Sequence, residues 1–437
     1  MCLDKGKDCE LNRREFLQGA LATGAGMTAW GCAAKRGLED PQVGKRWAGW
    51  RPGHFQAHFI YTGVAESIFL IFPDSTTMLI DCGCHAAHKR GKLAVPVLPD
   101  LSRIASEWIA RYVLRVNPHG KDVDYMLLTH YHADHCGGSA WHAGKSANGK
   151  YWLSGFGQAM EFLTFRRAID RAWPTFDDPL PMSDRFDGGT IPHMREIYRE
   201  LERRGTVVER FRLEKGSDQI RPLRGEAKDF RVVPLCANGR VLCPDGRVVD
   251  VMKPLIEARK AKSVNENTLS IGLRFEYGPF RFYTAGDFSH HQKRKDGTLF
   301  EAEAEMAKVC GRCQVAKVNH HGHHSMPPAL VKALKSRVYL ACIWDQLHMT
   351  RDTMRNLADG GSYPGERLFA PGIFPQERRL EDRDEAWRGS VEPACYDGAH
   401  VVLDVPPGGQ TYSIAAIDAR DEEMIVRSVN SFDSLEA

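Results

Sequence analysis

From about residue 55 onward, short apolar runs alternate with turn residues. Phe59-Ile60-Tyr61, Ser67-Ile68-Phe69-Leu70-Ile71-Phe72 and Thr77-Met78-Leu79-Ile80 are rich in branched and aromatic side chains and too short for helices, which predicts strands. Pro73-Asp74-Ser75 marks the turn between the second and third. The spacing then changes: Ile104, Trp108, Ile109 and Val113 fall on one stripe of residues 101–113, as a helix requires. Asp124-Tyr125-Met126-Leu127-Leu128-Thr129 reads as a buried strand that ends where a group of histidines begins. Strand, helix, strand, with polar chemistry at the strand's C-terminal end, is the habit of α/β domains.

Residues 145–230 break this rhythm. They hold an aromatic, helix-like stretch (156–173), a proline-rich loop (174–192) and a charged amphipathic helix (194–204). They are expected to form a mostly helical insertion over the site, with plain structural padding as the alternative. Alternation resumes at Phe230-Arg231-Val232-Val233 and continues through residues 269–277, 280–285 and 315–318. A helix over 328–334 leads into a strand over 338–343. Beyond Gly360 the chain is loop-rich and closes in a hairpin, 400–405 and 412–417, around Pro406-Pro407-Gly408-Gly409.

Composition changes the picture only at the edges. The chain has 437 residues, 43% hydrophobic and 26% charged, with a formal net charge of +3. So even a balance excludes a surface that grips long nucleic acid by bulk electrostatics, and leaves room for a small phosphate-bearing substrate. The N-terminus is more specific. Asn12-Arg13-Arg14-Glu15-Phe16-Leu17 precedes a weakly apolar run over residues 19–31, the pattern of a twin-arginine export signal over residues 1–34. The run is too short and glycine-rich for a membrane span, which needs about 20 apolar residues. A basic N-terminal helix or an uncleaved anchor are the alternatives. Cys32 offers a site for lipidation, although Trp30 fits that pattern badly. Membrane contact is therefore expected only through the signal or such a lipid, and the destination is the periplasm or cell envelope. Export of a folded chain lets metal be loaded beforehand. Of the 12 cysteines, Cys2, Cys9 and Cys32 belong to the signal region. The odd remainder does not indicate a disulfide scaffold. Cys310-Gly311-Arg312-Cys313 has no second pair at metal-binding spacing, so it reads as packing or a local disulfide.

The chemistry concentrates in Thr129-His130-Tyr131-His132-Ala133-Asp134-His135. Alternation after a strand puts His130 and His132 on one side of the loop, while Asp134 and His135 follow on the next turn and can serve a second ion. Neutral imidazoles with a carboxylate are what an ion such as zinc takes.

This segment resembles the HxHxDH signature of the metallo-β-lactamase superfamily. Asp81 in Leu79-Ile80-Asp81-Cys82-Gly83 resembles its first motif, Ala285-Gly286-Asp287 its bridging aspartate, and Asn319-His320-His321-Gly322 its last histidine motif. Within the superfamily the likeness is closest to the hydrolase domain of bacterial competence (DNA-uptake channel) proteins and their secreted relatives. It rests on residues 77–81, 265–270, 317–322 and Leu347-His348. Thr62-Gly63-Val64-Ala65-Glu66 departs from the Gly-Gln-Gly-Asp type of turn usual there, which bears on substrate class more than on metal.

The resemblance implies an α/β fold, an αββα sandwich over residues 54–360, with the insertion at 145–230 and a β-rich C-terminal extension over 361–437. It implies two divalent ions, zinc by default, with manganese or iron as alternatives. His130, His132 and Asp287 would hold the first. Asp134, His135, Asp287 and His321 would hold the second, with His320 as the alternative to His321. A further histidine common on the first ion is absent, because Asn265 to Asn267 occupy its place. The first ion should therefore be weaker, completed by water or an amide oxygen. The catalytic candidates are Asp134, Asp81 and His348. Asp81 would fix a ligand histidine, or merely cap a turn. His348 would protonate a leaving group or hold a phosphate oxygen, or else cap a helix. His323 and His324 lie close enough in sequence to reach substrate or to stay clear of it, and His85, His88 and His142 are unassigned. The implied activity is hydrolysis of a small or short phosphoester, preferably a phosphodiester, by attack of hydroxide formed between the metals. Lactone or amide hydrolysis is the rival within the fold. A non-catalytic secreted metal- or partner-binding protein is the rival outside it.

Overall fold

Two sheets face each other through a seam of aromatic rings in the computed structural model. The residues described are 40–86, 97–181, 189–259, 265–289, 291–293, 299–345, 347–359, 367–369 and 398–435. The residues read as an export signal, Cys32 among them, and His88 lie outside them. Within one compact unit, Pro41–Ala437, the first sheet runs in the order β19 (Val426–Asp433), β18 (Thr411–Asp418), β17 (Ala399–Val405), β1 (Phe55–Phe59), β2 (Ile68–Ile71), β3 (Thr77–Ile80), β4 (Asp122–Leu127), β5 (Thr164–Asp170) and β6 (Val207–Arg210). The second runs β16 (Arg367–Phe369), β15 (Val338–Leu340), β14 (Val315–Lys317), β11 (Phe280–Thr284), β10 (Gly272–Tyr277), β7 (Phe230–Ala237), β8 (Arg240–Leu242) and β9 (Val248–Asp250). Phe55 of β1 stacks on Phe275 of β10 at 5.7 Å, and Phe59 meets Phe282 of β11 edge-on at 6.0 Å. Phe72 meets Phe230 at 4.8 Å. Such rings bury the largest apolar area per residue and tie the sheets face to face.

The strand order explains where function sits. β3, β4, β5 and β6 are mutually parallel, as are β11, β14, β15 and β16. Parallel neighbours need crossovers, supplied here by the helix Ala105–Val116 between β3 and β4 and by Thr190–Arg203 between β5 and β6. The first buries Trp108, Ile109, Tyr112 and Val113, and the second buries Met194, Ile197, Tyr198 and Leu201. In both sheets the C-terminal strand ends carry the motif residues, the usual place for ligand sites in α/β folds.

The expected α/β sandwich with a β-rich C-terminal region is what the structure has. Two segments differ in detail. Residues 145–230, expected as mostly helical, contribute β5 and β6 to the first sheet. The aromatic stretch read as one helix over 156–173 is a single turn, Phe156–Ala159, followed by β5. Thr164–Asp170 is claimed by the sheet because β4 and β6 offer it hydrogen bonds on both edges. The C-terminal hairpin is likewise built into the first sheet, with β17 pairing antiparallel to β1.

Candidate metal centre

The registers bring the motifs together before any side chain is considered. Ile80 lies opposite Leu127, so Asp81 and Thr129 leave adjacent strands side by side, with the Asp81 N–H on the Leu127 carbonyl at 2.9 Å. The loop after β4 is then knitted to the chain beside it. Glu66 N–H donates to Asp134 O (2.9 Å), Cys82 N–H to His135 O (2.8 Å) and Cys84 N–H to Ala133 O (2.9 Å). Gly83 is required at this approach, since a Cβ there would stand 1.7 Å from the Asp134 carbonyl oxygen.

The side chains converge in two groups that share Asp287, one with Glu66, His135 and His321 and one with His130 and His132, and Asp134 lies against the imidazoles of the first. Asp287 Oδ2 lies 3.2 Å from His135 Nε2 and 3.3 Å from His321 Nε2. Those two ring nitrogens are 3.3 Å apart, and Asp134 Oδ2 lies 3.1 Å from His321 Nε2 and 3.6 Å from His135 Nε2. A tetrahedral ion with bonds of about 2.0–2.1 Å needs its donors roughly 3.3 Å apart. These donors fit that requirement. In the other group His130 Nε2 is 3.1 Å from His132 Nδ1 and 3.8 Å from Asp287 Oδ2. That group has three protein donors, one fewer than the first.

Asp81 sits behind the cluster. Its carboxylate accepts from Thr129 N–H at 2.8 Å and from Thr129 Oγ1 at 2.7 Å, and it lies 2.8 Å from His135 Nδ1. A carboxylate on Nδ1 fixes the ring so that Nε2 faces inward. The Cys342 carbonyl does the matching work behind His321, accepting from its Nδ1 at 2.9 Å, and beside it stands Glu66, which was not singled out from the sequence. It is fully buried, 3.4 Å from His321 Nδ1 and 3.0 Å from the buried Lys317 Nζ. Glu66 also falls within ligand range of His135, Asp287 and His321. It lies on the Nδ1 side of the ring with Lys317 beside it, whereas Asp134 faces Nε2. Lys317 donates to the carbonyl of Gly286 at 2.7 Å and so steadies the turn that presents Asp287. The signal for Glu66 was its place at the end of the Thr62–Glu66 turn, where the resembling pattern also ends in an acid.

Charge tells the same story. Burial alone would lower the His321 ring, but Asp287, Asp134 and Glu66 outweigh it and raise it to about 10. His135, also buried, is raised well above the usual range by Asp287, Asp134 and Asp81. Asp287 Oδ1 is buried with no hydrogen-bond partner. Clustered carboxylates that over-stabilise positive charge, with a donor atom left over, suit resident cations.

The other sequence candidates fall around this cluster. His348 stacks on His321 with centroids 4.6 Å apart and planes at 12°. Its Nδ1 accepts from the backbone N–H of Trp344 (3.2 Å) and of Asp345 (3.3 Å). Burial and His321 hold His348 well below the ordinary histidine range, so it is neutral with its proton on Nε2. His320, the alternative ligand, instead lies 3.0 Å from Asn267 Nδ2 and 3.1 Å from Ser289 Oγ, apart from both donor groups. His323 is half-buried beside His320, and His324 is exposed and paired with Asp352. His85 packs against Trp344, and His142 stacks on Trp152. Among the described residues the cysteines are free, Cys310 and Cys313 included, and both of these are buried.

Residues 61–196 match the family model of the metallo-beta-lactamase superfamily. The matched span carries Glu66, Asp81 and the loop from His130 to His135, whereas Asp287 and His321 come from the second sheet beyond it. No curated protein matches the chain. A metallo-beta-lactamase superfamily domain with a convergent His/Asp cluster points to a metal-dependent hydrolase.

Proposed function

We propose that the protein is an exported phosphodiesterase that uses two divalent cations, zinc by default. The observation that carries the reading is the set of four donors, Asp134, His135, Asp287 and His321, spaced at tetrahedral edges, beside a second group of three that shares Asp287. His135, His321, Asp134 and Asp287 would hold one ion, and His130, His132 and Asp287 the other. When bound, such ions activate water and neutralise charge that builds on the attacked group.

The chain's own residues supply the rest. Asp81 and the Cys342 carbonyl hold His135 and His321 with Nε2 inward, and Lys317 holds the turn that presents Asp287. Neutral His348, with its Nδ1 occupied by backbone donors, offers Nε2–H to a phosphate oxygen or a departing alkoxide. His132 is half-buried whereas His130, His135 and His321 are buried, so substrate approaches over the three-donor group. A phosphodiester suits a site with neutral donors and paired cations, because its non-bridging oxygens carry charge before and during attack. The twin-arginine pattern at residues 12–17 supports export.

The test is metal content of the purified protein beside a panel of chromogenic phosphodiester, phosphomonoester and lactone substrates. About two equivalents of metal, with phosphodiester turnover lost in Asp287→Asn, is the expected result. Turnover of a lactone or amide alone would replace the phosphoester reading. Absence of bound metal after reconstitution would end it.

A further inference from the structure

Tyr131 separates His130 from His132, and it is held at three points by residues with no other evident task. Its backbone N–H donates to Glu266 Oε1 at 2.9 Å. Its hydroxyl donates to the Asp170 carboxylate at 2.6 Å. Its ring carries the Arg171 guanidinium 4.4 Å above its centre. Tyr131, Asp170, Arg171 and Glu266 are all fully buried. Arg171 and Glu266 pair with each other through three contacts of 2.7–3.0 Å, from Nε to Oε1 and from the terminal nitrogen to both oxygens. The second terminal nitrogen of Arg171 donates to the Asp178 carbonyl and to Asn238 Oδ1, both at 3.0 Å. Asp170 also accepts from Tyr198 Oη at 2.8 Å and from the N–H groups of Ala172 and Trp173 at 2.6 Å.

An ion pair buried this completely is weak support for stability, because desolvation consumes most of its Coulombic gain. What it offers is geometry. A planar, bidentate pair fixes orientation, and here the oriented group is the acceptor for the one backbone N–H between two ligand histidines. Side chains alternate along an extended loop, so pinning Tyr131 away from the site aims His130 and His132 into it. We propose that Arg171 and Glu266, with Asp170 behind them, are positioning residues for the three-donor cation group. Asp170 and Arg171, at the end of β5, would then act as the anchor of that group. The group with fewer protein donors depends most on such preorganisation: His130 Nδ1 has only the Thr129 hydroxyl at 3.1 Å, whereas His135 has the Asp81 carboxylate and His321 the Cys342 carbonyl on Nδ1. This proposal rests on the two-cation reading above.

The experiment is a competition titration of metal-free protein with zinc, and with cobalt as a spectroscopic probe. It compares wild type, Tyr131→Phe, Glu266→Gln and, as a contrast, Asp81→Asn. Tyr131→Phe removes only the hydroxyl contact and keeps the ring and the backbone N–H, so it guards against loss of the fold. The expected result is a weaker binding step reduced about 10- to 100-fold in Tyr131→Phe and Glu266→Gln, with the tighter step and the cobalt spectrum of that ion unchanged. Asp81→Asn, which touches His135 directly and His130 through Thr129, should weaken the tighter step as well. Equal weakening of both steps in Tyr131→Phe and Glu266→Gln, or no change in either step, overturns the proposal. A wild-type protein that takes a single ion defeats the two-cation reading and this proposal together, whereas two ions with unaltered steps in both variants defeat this proposal alone.

Discussion

At the scale of single residues, tautomer and access matter more than the identity of the side chain. His348 was visible in the sequence only as a histidine near a strand end, with capping as good a reading as chemistry. Two backbone N–H groups on its Nδ1 leave Nε2–H as its one donor, on a ring stacked against His321. We expect His348→Asn to lower kcat on a phosphodiester about 100-fold while metal content stays at the wild-type value. A parallel loss of metal would assign His348 to holding the cluster together instead. The His130–His135 loop was legible because ligand-type residues in tight succession are rare, and Asp81 and Asp287 only through the resemblance of their motifs. Glu66 and Lys317 were not. A lone acid in a turn and a lysine in a strand carry no local sign that folding will bury them against each other, 3.0 Å apart.

At the scale of elements, the cluster depends on strands that end in register and on one close backbone approach. β3 and β4 pair in parallel, so Asp81 arrives beside Thr129. The turn after β3 can lie against the metal loop only because position 83 lacks a Cβ. In Gly83→Ala the new methyl overlaps the Asp134 carbonyl, so the Cys82–His135 and Cys84–Ala133 backbone bonds cannot both persist. The expected outcome is loss of about 1–3 kcal/mol or more from the buried groups left unpaired, together with weakened metal retention. Thermal unfolding with and without added zinc measures both. A variant with unchanged melting and full metal content would show that the loop has slack. β5 was misread for the opposite reason: Phe165 and Ala168–Asp170 are buried by neighbours on both edges, and nothing local announces this.

At the scale of the whole molecule, β17–β19 close the far side of the first sheet and bury two histidines unrelated to the cluster. His58 of β1 lies 3.0 Å from Tyr112 Oη and 3.1 Å from Gln56 Oε1, and His400 accepts from the Tyr61 N–H at 3.0 Å. Burial pushes each ring down to about 3; for His400, Arg115 and His58 add to it. The unfolded rings, at about 6.5, take up protons first as pH falls. Their contribution is therefore intact above about pH 6.5 and is lost progressively between pH 6.5 and about 3. The slope is about 1.4 kcal/mol per pH unit for each ring. Urea unfolding of metal-free protein at pH 7 and pH 5 should show this decline, and His58→Gln should flatten it by one ring's share. A gap between wild type and variant that does not change with pH would mean that His58 is not kept neutral in the fold.

The sequence by itself determined the strand and helix periodicities, the α/β class and the ligand-bearing loop, because each is written in residues close together in the chain. That a first cation would lack a histidine, with Asn265 to Asn267 in its place, was an expectation from the family resemblance alone. Only the tertiary structure decided that His321 rather than His320 joins the cluster, that Glu66 and Lys317 stand behind it, and that Asp170, Arg171 and Glu266 hold Tyr131. Those outcomes depend on which strand ends meet across two sheets. Contacts between residues scores of positions apart are set by register and burial, which no local pattern of side chains records.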